Sequence, residues 1–227
     1  MIKEIEKRIL SSLIIIPITI FFIYKGSFLF IFFLSICFLF SCYEWIGMSK
    51  KKNLIKILGL IFLFFSFYSA YSFRIDQGFK FFLFVILISI LTDVGGYIFG
   101  KTFKGPKLIK ISPNKTYAGL IGSFILSIIG GMIFIRYNEN FIIDIFSNYI
   151  SFTSYEINLN FYVLLFIFII SLVSQLGDLI ISYFKRIAKI KDTGKILPGH
   201  GGLLDRIDGI IFVIPFVFLF FKFGGVN

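Results

Sequence analysis

Apolar residues arrive in this chain as long unbroken runs rather than in alternation. The runs fall at about 9–24, 28–46, 57–73, 81–100, 117–135, 161–181 and 209–224. Several approach or exceed the roughly 18 residues a helix needs to cross a hydrocarbon core about 30 Å thick. A transmembrane β-barrel would show period-two alternation, which is absent. The pattern predicts an all-α polytopic integral membrane protein with about seven transmembrane helices. Residues 1–8 are charged and precede the first run, as in a secretory signal. No small-residue cleavage site follows, and the second run begins at once, so the first helix is expected to be retained. Gly26 and Ser27 are expected to make a tight turn between the first two runs.

The composition agrees. The chain has 227 residues, 58% of them hydrophobic, with 34 Phe and a mean hydropathy of +0.95. The net charge of +11 would point to nucleic acid in a soluble protein. Here its distribution explains it. With seven spans, 18 Lys and Arg fall in the N-terminus and the loops 47–56, 101–116 and 182–206, against five on the other side. By the positive-inside rule, the N-terminus and the two longer basic loops are expected in the cytoplasm. Cys37 and Cys42 lie in an apolar run and read as packing residues, with neither a disulfide nor a metal implied. Glu44 and Trp45 close the second run and read as interfacial, the Glu snorkelling to water.

An acid inside a span costs several kcal/mol unless paired, hydrated or bound to a cation. Asp93 and Asp178 are therefore the residues to explain. The plain reading is an interhelical hydrogen bond with Ser or Thr neighbours, Ser174 lying one turn before Asp178. Asp205 and Asp208 stand three apart at the start of the seventh run, on one face if that turn is helical. Together with Asp178 they make an all-oxygen set of the kind Mg²⁺ takes, although helix capping accounts for one such Asp without a metal. Lys185, Arg186, Lys191 and Arg206 lie among these acids. Arg, rare in this chain, suits bidentate phosphate binding. Lys189 reads as an ordinary cytoplasmic charge. Pro198 to Gly202, with His200 in its centre, has the glycines for an anion-cradling turn.

The stretch from Ser182 to Asp208 resembles the signature of the phosphatidate cytidylyltransferases (CDP-diacylglycerol synthases). Ser182, Phe184, Lys185, Arg186, Lys191, Asp192, Gly194, Leu197, Pro198, His200, Gly201, Gly202, Leu203, Asp205, Arg206, Ile207 and Asp208 meet every position of it. Upstream, TDVGGYIFGKTFKG and ISPNKTYAGLIGS are similar to the family's Asp-containing helix and its Ser-Pro-x-Lys-Thr loop. The resemblance covers about 90–215, and the chain is short for the family. It implies a single transmembrane catalytic domain over 1–227, with N-terminal helices at about 9–73 and a catalytic half at about 81–224. The implied reaction is CTP plus phosphatidate giving CDP-diacylglycerol and pyrophosphate. The implied metal ligands are Asp178, Asp205, Asp208 and Asp93, for Mg²⁺ alone or with a second cation. Lys185, Arg186, His200 and Arg206 are expected to be catalytic, and Ser112, Asn114, Lys115, Thr116 and Lys191 to bind substrate. Expected partners are CTP, phosphatidate, the lipid bilayer and a second copy in a homodimer, and not nucleic acid. The expected location is a bacterial-type plasma (inner) membrane. Another CTP-dependent lipid transferase or kinase, or an ion or proton transporter, is the alternative.

Overall fold

A computed structural model describes residues 2–49, 53–109, 112–138, 156–197 and 201–223, with the side chains of 2–12, 109, 113, 114 and 156–160 outside that description. The helices are α1 (Ile2–Lys25), α2 (Ser27–Met48), α3 (Asn53–Asp76), α4 (Gly78–Phe103), α5 (Tyr117–Arg136), α6 (Glu156–Ile187), the single turn α7 (Leu204–Ile207) and α8 (Ile210–Phe223). Within them, α2, α3, α4, α5 and Phe161–Ile187 are long and apolar enough to cross a membrane. Leu13–Lys25 and Ile210–Phe223 are shorter apolar helices. The polytopic all-α reading holds. Phe28, Leu54, Phe64, Tyr97 and other large apolar side chains are exposed on the outer surface. Water would not tolerate so broad an apolar surface, and lipid would.

Short connections make α1 to α4 consecutively antiparallel, and the Lys115–Asp178 and Lys185–Asp205 contacts bring α6 and the start of α8 to the hairpin. Gly26 and Ser27, at φ +63° and +49°, turn α1 into α2. The Arg74 guanidinium braces that corner, its Nε donating to the Ile23 carbonyl at 3.0 Å. The ends of α2, α4 and α6 and the beginnings of α3, α5 and α8 consequently gather at one end of the protein.

A Phe-rich core of α3, α4, α6 and α8, with Phe73, Phe81, Phe82, Phe166, Ile167 and Val217 buried in it, lies away from that end. A smaller core of Trp45, Leu63, Ile181, Leu204 and Ile211 lies beneath it. The most extensive helix pair is α4 with α5. It rests on facing small residues: a Cβ on Gly95 would stand 2.5 Å from the Gly122 carbonyl, and one on Gly119 would stand 2.8 Å from that of Gly96. Such close approach replaces the hydrophobic drive that lipid removes. Pro215 inside α8 withholds the N–H that the Ile211 carbonyl expects. The Ser66 hydroxyl of α3 donates to that carbonyl instead, at 2.8 Å.

One element departs from the purely helical expectation. The 101–116 loop contains an antiparallel hairpin, β1 (Lys107–Ile109) and β2 (Ser112–Thr116), with Lys107 paired to Thr116. Thr116 ends the hairpin and begins α5, its hydroxyl accepting from the Gly119 N–H at 3.1 Å.

Candidate active site

The hairpin and α6 meet through charge. Lys115 Nζ lies 2.6 Å from Asp178 Oδ2. The Ser182 hydroxyl, one helical turn after Asp178, donates to its other oxygen at 3.2 Å. Ser174, one turn before, lies instead against Gly209, and its buried hydroxyl finds no hydrogen-bond partner. Asp208, in the turn between α7 and α8, approaches Asp178 closely enough to share a hydrogen bond, and its Oδ1 accepts from the Gly209 N–H. Asp93 of α4 lies within electrostatic reach of Asp178, Lys115 and Arg206. Burial first, and then the charges of Asp178 and Asp93, push the Asp208 carboxyl well above the usual carboxylate range.

Asp205 goes elsewhere. The backbone is helical from Leu203 to Asp208, as the shared-face expectation requires, but the two carboxylates take different partners. Asp205 Oδ1 accepts from Lys185 Nζ at 2.8 Å. Its Oδ2 accepts from the Thr193 N–H at 2.8 Å, the Thr193 hydroxyl at 3.0 Å and the Gly202 N–H at 3.1 Å. Lys185 nevertheless serves both groups, since its charge also lowers the cost of ionising Asp178 and Asp208.

The reading of Glu44 as a snorkelling residue is overturned. Glu44 is 1% exposed. Its Oε2 accepts from the Thr193 hydroxyl and the Leu204 N–H, both at 2.8 Å, and its Oε1 from the Leu203 N–H at 2.9 Å. The signal was available in the sequence, because the cost that singles out Asp93 and Asp178 applies equally to an acid in the second run. Thr193, which the signature leaves unspecified, had no such signal. Trp45 points inward too, stacking edge-on against Phe184 and donating from Nε1 to the Lys56 carbonyl at 3.2 Å.

Arg186 is exposed and donates to the Ile190 carbonyl at 3.2 Å. Lys189 does more than carry charge. It takes the left-handed conformation (φ +58°) that stops α6, with Ile190 N–H reaching back to the Lys185 carbonyl at 3.0 Å. Arg206 and Lys191 are exposed, and Ser112 is half-buried. His200, Pro198 and Gly199 lie outside the described residues, as does the Asn114 side chain. The Leu197 N–H donates to the Gly201 carbonyl at 3.0 Å, and Gly201 takes φ +88°, a conformation open to glycine.

Among the described residues no three His, Cys, Asp or Glu side chains already enclose a metal position. Asp178, Asp208 and Asp93 carry the oxygen donors that a hard divalent cation takes. They offer carboxylate oxygens from three separate elements, they are crowded like charges, and an ammonium already stands against one of them. Beside this end, an apolar cleft of about 220 Å³ is lined by Trp45, Phe62, Ile181, Phe184, Ile211 and Phe212.

Sequence comparison gives the family. The profile of the cytidylyltransferase family matches residues 6–91 and 53–223. The chain belongs to that family. It is 42% identical over 160 residues to a protein named phosphatidate cytidylyltransferase from Staphylococcus haemolyticus, covering 70% of this chain and 53% of that one. A protein of the same name from Staphylococcus aureus (strain COL) is 40% identical over the same shares, and one from Staphylococcus epidermidis is 40% identical over 142 residues, 62% of this chain and 48% of that one. The chain thus spans about half the length of the curated relatives it matches.

Proposed function

We propose that this protein transfers the cytidylyl group of CTP to phosphatidate, releasing pyrophosphate and leaving CDP-diacylglycerol in the membrane. The observation that carries the reading is the Lys115–Asp178 ion pair, which joins the hairpin to α6 one turn before the signature segment at one end of an apolar helical protein. The names of the relatives support the choice of substrates. A phosphate oxygen of phosphatidate attacks the α-phosphorus of CTP. A new P–O bond forms, the bond to the β-phosphate bridge breaks, and its electron pair leaves with pyrophosphate. The nucleophile is already anionic near neutral pH, so the protein's work is to align two anions and screen them.

Asp178, Asp208 and Asp93 would hold Mg²⁺, with a second cation drawing on the same oxygens. When bound, the metal supplies charge neutralisation at the phosphates and the leaving group. Lys115 brings a cation from the hairpin, which Ser112, Asn114 and Thr116 complete as a phosphate- and nucleotide-facing edge. Arg206, Arg186 and Lys191 bind phosphates. Lys185 keeps Asp205 in place while adding positive charge to the site, and His200 orients a phosphate. The acyl chains lie among the helices, and the apolar cleft lined by Phe184 and Phe212 is a space of suitable character for one. The excess of Lys and Arg at this end supports a cytoplasmic orientation in a bacterial-type plasma membrane.

The test is to incubate purified protein with CTP labelled at the α-phosphate, phosphatidate and Mg²⁺. One labelled lipid per pyrophosphate released is the expected result. Release of CDP with phosphorylation of a lipid alcohol would make the protein a kinase. Ion flux in sealed vesicles with no lipid product would make it a transporter.

A further inference from the structure

Glu44 lies outside the signature, 149 residues before Thr193, yet among the described residues every hydrogen bond its carboxylate accepts comes from that segment. The fit is also steric. A Cβ on Gly194 would stand 2.5 Å from Glu44 Oε1, and one on Gly202 2.5 Å from Oε2. Two glycines of the signature are thus small because a carboxylate from α2 fills the space beside them. The Thr193 hydroxyl has one proton and two acceptors in range, Glu44 Oε2 at 2.8 Å and Asp205 Oδ2 at 3.0 Å. It serves one carboxylate at a time and sits between the two, while the Thr193 N–H holds Asp205 independently and Asp205 is bound in turn to Lys185. The chain continues from these contacts through Arg206 to Asp208, which faces Asp178.

We infer that Glu44 is a positioning residue for the reaction. It acts as a buried peg that fixes the 193–204 segment, so that Arg206 and Asp208 are presented to Asp178 and Lys115. The inference rests on the function proposed above. It also explains the bare burial of an acid near the end of an apolar helix. Three donors compensate the desolvation of the carboxylate, two of them backbone N–H groups that would otherwise be orphaned at the start of α7.

The experiment compares wild type with Glu44→Gln, Glu44→Ala, Gly194→Ala and the double variant Glu44→Ala/Gly194→Ala, purified in detergent. Gln keeps the volume, but its amide nitrogen cannot accept, so at least one N–H of Leu203 or Leu204 loses its partner. Amide exchange should rise in the peptide covering 193–204 in both Glu44→Gln and Gly194→Ala, and stay at wild-type rates in α4 and α5. In the assay with labelled CTP, kcat should fall about 10²-fold, as for misaligned reacting groups, with KM for phosphatidate within about threefold of wild type. Gly194→Ala should add little on top of Glu44→Ala, because the group it collides with is gone. Wild-type kcat and exchange in Glu44→Gln would overturn the inference, and so would exchange rising equally through every helix. Should Glu44→Gln fail to purify, Gly194→Ala decides, since it leaves the carboxylate present and displaces it. A wild-type protein that labels no lipid refutes the proposed function instead, while the exchange comparison still tests the peg.

Discussion

Asp178 is held from two sides, by Lys115 at one oxygen and by Ser182 at the other. Removing the charge of Asp178 and removing that of Lys115 should therefore not be equivalent. Asp178→Asn deletes an anionic ligand while leaving a hydrogen-bonding group, and turnover should fall at least about 10²-fold at saturating Mg²⁺ in the scale of lost electrostatic stabilisation. Lys115→Arg should retain more activity than Lys115→Ala, because charge survives while the reach changes. Steady-state kinetics on the three variants checks the order, and a fully active Asp178→Asn would remove it from the metal set. Asp205 belongs to a different group, with four donors on its two oxygens. Asp205→Asn should loosen the 193–202 loop, seen as faster proteolysis there, besides lowering turnover.

At the level of elements, small residues decide how near two helices come. A Cβ on Gly122 would run into the Phe99 side chain, so Gly122→Leu should force α4 and α5 apart. Overpacking of this kind costs about 1–3 kcal/mol. The hairpin between these helices carries Lys115, so turnover should drop as well, and a thermal melt in detergent with a parallel assay reads both. A gentler case is Ser66→Ala, which strips the Ile211 carbonyl of the donor that stands in for the missing N–H of Pro215. An interhelical bond of this type in a membrane protein is worth about 0.6–2 kcal/mol, and the melt should fall accordingly with little change in KM.

For the whole molecule, the crowding of acids at one end makes stability depend on pH. Folding raises the Asp208 carboxyl above its ordinary value, so the folded state keeps a proton there that the unfolded chain has already lost. Without metal, this contribution is present at acid pH. It is lost as pH rises from the ordinary carboxylate range through the raised value. Mg²⁺ needs the same oxygen deprotonated, so stabilisation by Mg²⁺ should grow over that window. Melting curves with Mg²⁺ and with chelator, taken at several pH values, check the sign. A Mg²⁺ effect that shrinks with rising pH would exclude Asp208 as a ligand.

The sequence by itself determined the helices, since a run of apolar residues in lipid has no way to satisfy its backbone except as a helix. It suggested alternating spans, because Lys and Arg gather in every second link. It also singled out Asp93, Asp178 and the signature, because acids and glycines in an apolar chain need a cause. What only the tertiary structure decided is the grouping of those residues. The carboxylates of Asp205 and Asp208, three apart on helical backbone, part because Lys185, Thr193 and Gly202 donate to the first and Gly209 to the second. Lys115 joins Asp178 because a hairpin folds the Ser-Pro-x-Lys-Thr loop back over the helix ends, which no periodicity reveals. Glu44 became part of the site for the same reason. Its partners are backbone N–H groups and a hydroxyl far away in sequence, and a pattern of side chains does not record which carbonyl or N–H a fold leaves waiting.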